Sequence, residues 1–147
     1  MDYRCCDFCN EKIINKQKVY ENDFIVAIYP EEPVIFYHLI VFPKRHIRLV
    51  SDLNKEELTR IFSFIDKIFK IFKEEKNCLG FNLISNNGNG KIGQHIPHAH
   101  FHLFLRFADE QISPYKVLSN ISLREKLTQG EWKLRRKTIS NYLKELR

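Results

Sequence analysis

The sequence predicts an α+β fold, an antiparallel sheet with a long helix packed on it and a C-terminal helical extension. Three stretches carry that prediction. In Gln94–Arg106 the order His98-Ala99-His100-Phe101-His102-Leu103-Phe104-Leu105 alternates. A strand here turns His98, His100 and His102 to one face, roughly 7 Å apart, and Ala99, Phe101, Leu103 and Leu105 to the other. From Lys55 to Glu75, Leu58, Ile61, Phe62, Ile65, Ile68, Phe69 and Phe72 recur at three- and four-residue steps, an apolar helical stripe. Upstream, short apolar runs separated by polar or proline-containing turns read as strands.

Taken in order, the chain opens with Cys5-Cys6-Asp7-Phe8-Cys9, a cluster suited to reduced, metal-binding thiols. Cys6-x-x-Cys9 needs two further ligands for a tetrahedral site, with Cys5 able to replace Cys6 in a tighter pair; His46 and His98 are candidates. Val19 and the run Phe24–Ile28 predict a hairpin across Glu21-Asn22-Asp23. Tyr29-Pro30-Glu31-Glu32-Pro33 interrupts the sheet, and Tyr37–Phe42 resumes it until Pro43. His38 lies on that strand, either as a satisfied core histidine or as part of a site.

Ser51–Asn54 supplies capping residues, and Asn54 with Glu57 has capping-box spacing. Phe64 and Ile71 widen the helical stripe, as burial by a second subunit or a broad core face both require. Cys78 and Gly80 lead into a strand over Phe81–Ser85. Asn86–Gly93 is rich in residues that tolerate left-handed backbone, so its N–H groups can converge on an anion. A nest running into a row of imidazoles reads as phosphate chemistry, although the row alone allows either metal ligation or nucleophilic and acid–base work. Past Arg106, Ser113-Pro114 stops the sheet, Ser119–Arg147 is polar and basic, and Gly130 is expected to separate two short helices. Lys133–Lys137 is either a phosphate contact or, more in keeping with base rates, a solvated face.

A chain of 147 residues with 44% hydrophobic and 29% charged residues suits one domain. Neither a membrane-spanning run nor an apolar leader-like start is present, which points to a cytoplasmic protein. The formal charge of +6 favours anionic partners without identifying them.

Gly80–Arg106, with Asn82, Asn87, Gly93, Gln94 and His-Ala-His-Phe-His, resembles the signature of the histidine triad (HIT) family of nucleotide hydrolases and transferases. His38-Leu-Ile-Val-Phe-Pro43-Lys44-Arg-His46-Ile47 is similar to that family's second recurring block, and the resemblance covers roughly Cys6–Arg106. It implies a HIT-like fold, with residues 1–110 as the domain and 111–147 as a basic helical extension of it. It also implies hydrolysis at the α-phosphate of a nucleotide conjugate, through a nucleotidyl-histidine formed on His100. His102 is then expected to meet the phosphate and leaving group, in its cationic form as charge develops. Asn87 and the Gly93-Gln94 turn are expected to hold phosphate oxygens, with Gln94 beside the bridging atom and His38 bracing the site. In the zinc-containing bacterial branch the implied ligands become Cys6, Cys9, His46 and His98, a structural zinc, with His98 also the first residue of the triad. A homodimer is implied, with a small-molecule nucleotide as substrate.

Two departures bear on substrate. The family's ribose-binding acid falls on Pro30, for which Glu31 or Glu32 could substitute, and His95 stands where nucleoside phosphoramidases and dinucleoside polyphosphate hydrolases usually carry a small hydroxyl residue. An imidazole at 95 suits a phosphate leaving group, so the reading leans to a dinucleoside polyphosphate. Removal of adenylate from nucleic-acid ends is the alternative enzyme, although that branch usually adds a C-terminal zinc finger and no cysteine follows Cys78. A non-enzymatic nucleotide-binding protein is the third reading.

Overall fold

Short apolar runs and the turns between them set the sheet. In the computed structural model, which describes residues 6–110, 113, 116 and 124–146, β1 (Lys18–Glu21) and β2 (Ile25–Ile28) form the expected hairpin. Asn22 closes it, its Oδ1 accepting the N–H groups of Phe24 at 2.9 Å and Ile25 at 2.7 Å. Then come β3 (His38–Pro43), β4 (Gly80–Ile84) and β5 (Phe101–Arg106). The five strands run antiparallel in the order β1-β2-β3-β5-β4.

The pairs Ile40↔His102 and Leu39↔Leu103 fix which side chains share a face. Leu39, Val41, Phe101, Leu103 and Leu105 enter the main core, while Ile40, Phe42, Val26 and Ile28 form a second apolar layer with Cys6, Phe8 and Ile14. A helix over Glu11–Gln17 (α1), capped by Asn10, follows the turn Asp7–Cys9. No helix is legible there in the sequence, because seven residues with adjacent Ile13 and Ile14 show too little periodicity.

Helix α2 (Lys55–Lys76) covers the main-core face, and the Asn54/Glu57 capping box forms as its spacing predicts. Glu57 also takes Arg45 in a forked pair with contacts of 2.7 to 3.0 Å, tying the helix start to the segment carrying His46. The stripe is rotated slightly from the expected one. Phe64 is buried against Tyr20 of its own chain, whereas Phe62 is 50% exposed. Tyr20, on strand β1 of the hairpin, supplies the ring that Phe64 packs on.

A third helix, α3 (Gln129–Leu143), places Trp132, Ile139 and Leu143 in the main core. Gly130 lies in its first turn, within the Thr128/Glu131 capping box, and does not separate two helices. First-turn N–H groups lack intrahelical acceptors, so glycine there interrupts little. The basic run also divides: Arg135 pairs with Glu125, Arg136 donates to the Lys18 carbonyl, and Lys133 and Lys137 are exposed. Pro114, Leu118, Ser119, Ile121 and Leu123 lie outside the described residues. Among the described residues no helix is long and apolar enough to cross a membrane.

Candidate active site and metal centre

Strand β5 starts later than the alternation suggests. Ladder pairing begins at Phe101, and the Ala99 N–H instead reaches the Ile47 carbonyl at 2.7 Å, because Pro43 ends the neighbouring strand. This lead-in lets the histidines diverge from a uniform row. His98 turns toward the N-terminal thiols, while the rings of His100 and His102 close to 5.1 Å between centroids, nearer than strand spacing alone gives.

Cys6, Cys9, His46 and His98 converge, their ligand atoms all within 4.8 Å of one another. His98 Nδ1 lies 3.5 Å from Cys6 Sγ and 3.6 Å from Cys9 Sγ, and His46 Nδ1 lies 3.2 Å from Cys9 Sγ. A tetrahedral ion with metal–sulfur bonds of about 2.3 Å and metal–nitrogen bonds of about 2.0 Å puts S and N about 3.6 Å apart. The donor set and its spacing therefore fit such an ion. His98 Nε2–H donates to the Pro43 carbonyl at 2.8 Å, which leaves the Nδ1 lone pair facing the thiols. Burial lowers the His98 pKa to about 4, keeping it in the neutral, ligating form. Burial, then the hydrogen bond and charge of Cys6, push the Cys9 thiol up to about 11, a cost that a bound cation reverses.

On the same side of the sheet a cleft of 410 Å³ is lined by His38, His95, His100 and His102 with Asn86, Gly93 and Arg124. A larger cavity of 690 Å³ near Tyr37 and Phe107 contains none of these histidines. His100 Nδ1–H donates to the His98 carbonyl at 2.6 Å, so its Nε2 holds the free lone pair. Val34 N–H donates to His38 Nδ1 at 3.2 Å, which puts the His38 proton on Nε2, 3.0 Å from His102 Nδ1. His102 thereby keeps its own proton on Nε2. The cleft combines a nitrogen nucleophile with a neutral N–H donor.

His102 itself is held neutral. Burial, then the nearby His100 and Arg124, hold its pKa down to about 3, and His38 is lowered in the same sense. Gln94 and Asn87 also stand elsewhere than expected. Gln94 is buried, accepting from Gly88 N–H and donating to the Arg48 carbonyl, while Asn87 Oδ1 accepts from Val50 N–H. Both side chains hold the glycine-rich loop against the segment after His46, and neither lines the cleft. Gly93 does, at φ 94°.

Asn86, donating to the Gly93 carbonyl at 3.2 Å, takes the cleft position expected of Asn87. The signal was available, since Asn86 is two residues beyond Ile84, which also lines the cleft. Arg124 had no local signal. An adjoining cavity of 510 Å³ includes Phe8, Ile28, Pro30, Glu31, Glu32 and Arg124 in its walls. The Pro30 carbonyl accepts from Trp132 Nε1 at 2.8 Å, so the C-terminal helix braces the turn where the expected ribose acid is missing.

A hydrophobic strand bearing this histidine cleft defines a class as well as a site. The HIT domain model matches residues 11–109, and the chain belongs to the HIT domain family. It is 30% identical over 129 residues to an uncharacterized HIT-like protein of Methanocaldococcus jannaschii, covering 84% of this chain and 97% of that one. It is 26% identical over 93 residues to the asymmetrical bis(5'-nucleosyl)-tetraphosphatase of Schizosaccharomyces pombe, covering 63% of this chain and 50% of the enzyme. A zinc-bound histidine triad family protein from Mycobacterium smegmatis shares the fold, with TM-score 0.71, 20% identity, and coverage of 99% of this chain and 100% of that one.

Proposed function

We propose that this protein hydrolyses a nucleotide phosphoanhydride of the dinucleoside polyphosphate type at the α-phosphorus, through a covalent intermediate on His100. The observation that carries the reading is the paired orientation of two imidazoles in one cleft, a free His100 Nε2 beside a proton-bearing His102 Nε2.

His100 Nε2 forms a bond to phosphorus as the bond to the bridging oxygen breaks, and the remaining phosphate leaves as an anion. Because Nδ1–H stays on the His98 carbonyl, the phosphorylated ring is cationic and a good leaving group. Water then forms the new P–O bond, the N–P pair returns to Nε2, and the water proton passes to solvent. His102 Nε2–H stabilises oxygen charge without becoming an ion. Its proton cannot be replenished from His38, whose Nδ1 is committed to the Val34 amide. A leaving group that departs as an anion suits this site better than an amine that must be protonated. The tetraphosphatase relative supports the same substrate class.

The Cys6, Cys9, His46 and His98 centre fits a structural zinc, a reading that the zinc-bound relative supports. Held by these four residues, an ion would have no open position and would join the N-terminus, the segment after Pro43 and the triad strand. Cysteines used as metal ligands are in keeping with a reducing compartment such as the cytoplasm. Residues 111–147 are read as an extension of the 1–110 domain, since Trp132, Ile139 and Leu143 belong to its core. A homodimer through edge strand β4 and α2 is supported by the exposed Phe62, Leu79 and Phe81.

The test is parallel turnover of diadenosine polyphosphates, adenosine phosphoramidate and 5'-adenylated DNA by the parent and by His100→Asn. Polyphosphate turnover that His100→Asn abolishes, with nucleotide binding retained, is the expected result. Multiple turnover by the variant overturns the covalent route. Turnover confined to adenylated DNA moves the assignment to nucleic-acid ends, and silence on all three favours a binding protein.

A further inference from the structure

The C-terminal extension contributes to the histidine cleft. The turn at Pro30–Pro33 contains two prolines that cannot donate hydrogen bonds, and three of its carbonyls are bonded by this extension. Trp132 Nε1 takes Pro30 at 2.8 Å, Arg124 Nη1 takes Glu32 at 3.3 Å, and the Glu125 N–H takes Pro33 at 2.9 Å. Glu125 is engaged by Arg135 at 2.6 Å, and Leu127 packs on the main core. Arg124 is thus held at the junction of the histidine cleft and the cavity beyond it, lining both.

Charge gives this placement its meaning. Among the described residues lining the histidine cleft, Arg124 is the one with a permanent charge, and no carboxylate stands there. His38 is buried and His102 half-buried, and desolvation holds both imidazoles below the ordinary value, in the neutral form. A nucleotide phosphate entering the cleft carries negative charge that neutral imidazoles do not offset. The Glu32 bond uses one of the guanidinium donors, and a guanidinium has others suited to phosphate oxygens.

We propose that Arg124 binds non-bridging oxygens of the phosphate attacked by His100, supplying from outside the matched HIT domain, residues 11–109, the positive charge that the site needs. The inference rests on the hydrolase reading and adds a specificity-determining residue to it. It places the selectivity for a phosphate-bearing ligand over the bare nucleoside on the extension.

The experiment compares binding of the four ribonucleoside 5'-monophosphates and their nucleosides to the parent, Arg124→Ala and Arg124→Lys, with turnover of diadenosine tetraphosphate and thermal midpoints. In Arg124→Ala, monophosphate binding weakens roughly ten- to hundredfold, as loss of charge-assisted hydrogen bonds predicts, while nucleoside binding holds. Arg124→Lys, keeping the charge but not the fork, falls between. The thermal midpoint stays close to the parent's. Unchanged monophosphate binding overturns the proposal, as does equal weakening of nucleoside and monophosphate, which is the mark of a merely structural turn. If the parent itself neither binds monophosphates nor turns over the polyphosphate, the hydrolase reading fails and this one with it. A parent that turns over while Arg124→Ala matches it refutes the Arg124 assignment alone.

Discussion

His38 Nε2 lies 3.0 Å from His102 Nδ1, and this contact decides which nitrogen of His102 carries its proton. Two residues 64 positions apart in the chain are joined because β3 and β5 are neighbours, with His38 opposite Phe104 and Ile40 opposite His102.

That pair gives the protein an acid-sensitive element. His38 and His102 are both held below the ordinary imidazole value by burial, His102 at about 3. The unfolded chain therefore binds more protons below about pH 6.5, and the stabilisation from neutral burial is full above that value. It is lost as pH falls toward 3, by at most about 1.4 kcal/mol per pH unit per site. Denaturant titrations between pH 7 and pH 4 should show this decline, and His102→Gln should flatten it. An equal slope in parent and variant would contradict a neutral His102 in the fold.

Removing a proposed metal ligand should act on stability first. Cys9→Ala is expected to lose zinc and to lower the thermal midpoint by roughly 5–15 °C, with activity falling as the strand under His100 loosens. Brief chelation should spare activity while metal stays bound, since a closed site exposes no coordination position. Immediate inhibition by chelator, reversed by zinc, would instead indicate a catalytic ion. Protein purified without chelator and free of zinc, with Cys9→Ala as stable as the parent, would remove the metal from the account.

The glycine-rich loop offers a paired comparison. At Gly93, φ is 94° and an added Cβ would meet Asn86 Nδ2 at 2.9 Å, whereas at Gly90 it meets nothing within 4 Å. Gly93→Ala should cost about 1–2 kcal/mol and depress turnover, because Asn86 lines the cleft. Gly90→Ala should be close to neutral. Equal behaviour of the two variants in stability and turnover would show that the loop geometry does not matter.

Edge strand β4 makes the dimer testable. A mass measurement at micromolar concentration should give twice the chain mass, and Phe81→Asp should shift it to monomer, since Phe81 is 39% exposed on that edge. A parent that is monomeric throughout would refute the proposed association.

Much of the architecture was legible because it repeats locally. The period-two pattern around Phe101–Leu105, the capping box at Asn54 and Glu57, and the proline stop at Pro43 each depend on residues a few positions apart. The same local order named the histidines and thiols as chemical groups and led to the family. It misjudged Gly130, and it left open whether Phe64 meets its own core or a second subunit, because both depend on what packs against the helix.

By itself, then, the sequence determined the strand and helix grammar and the residues able to ligate or attack, since backbone preference and side-chain chemistry are local properties. Only the tertiary structure decided which nitrogen of each imidazole is engaged and which faces its neighbours. Proton positions depend on partners from other segments: the Pro43 carbonyl for His98, the His98 carbonyl for His100, and Val34 with His38 for His102. The same is true of Arg124, Asn86 and the buried Gln94, whose places follow from strand order and from the packing of the extension, and a one-dimensional pattern carries neither.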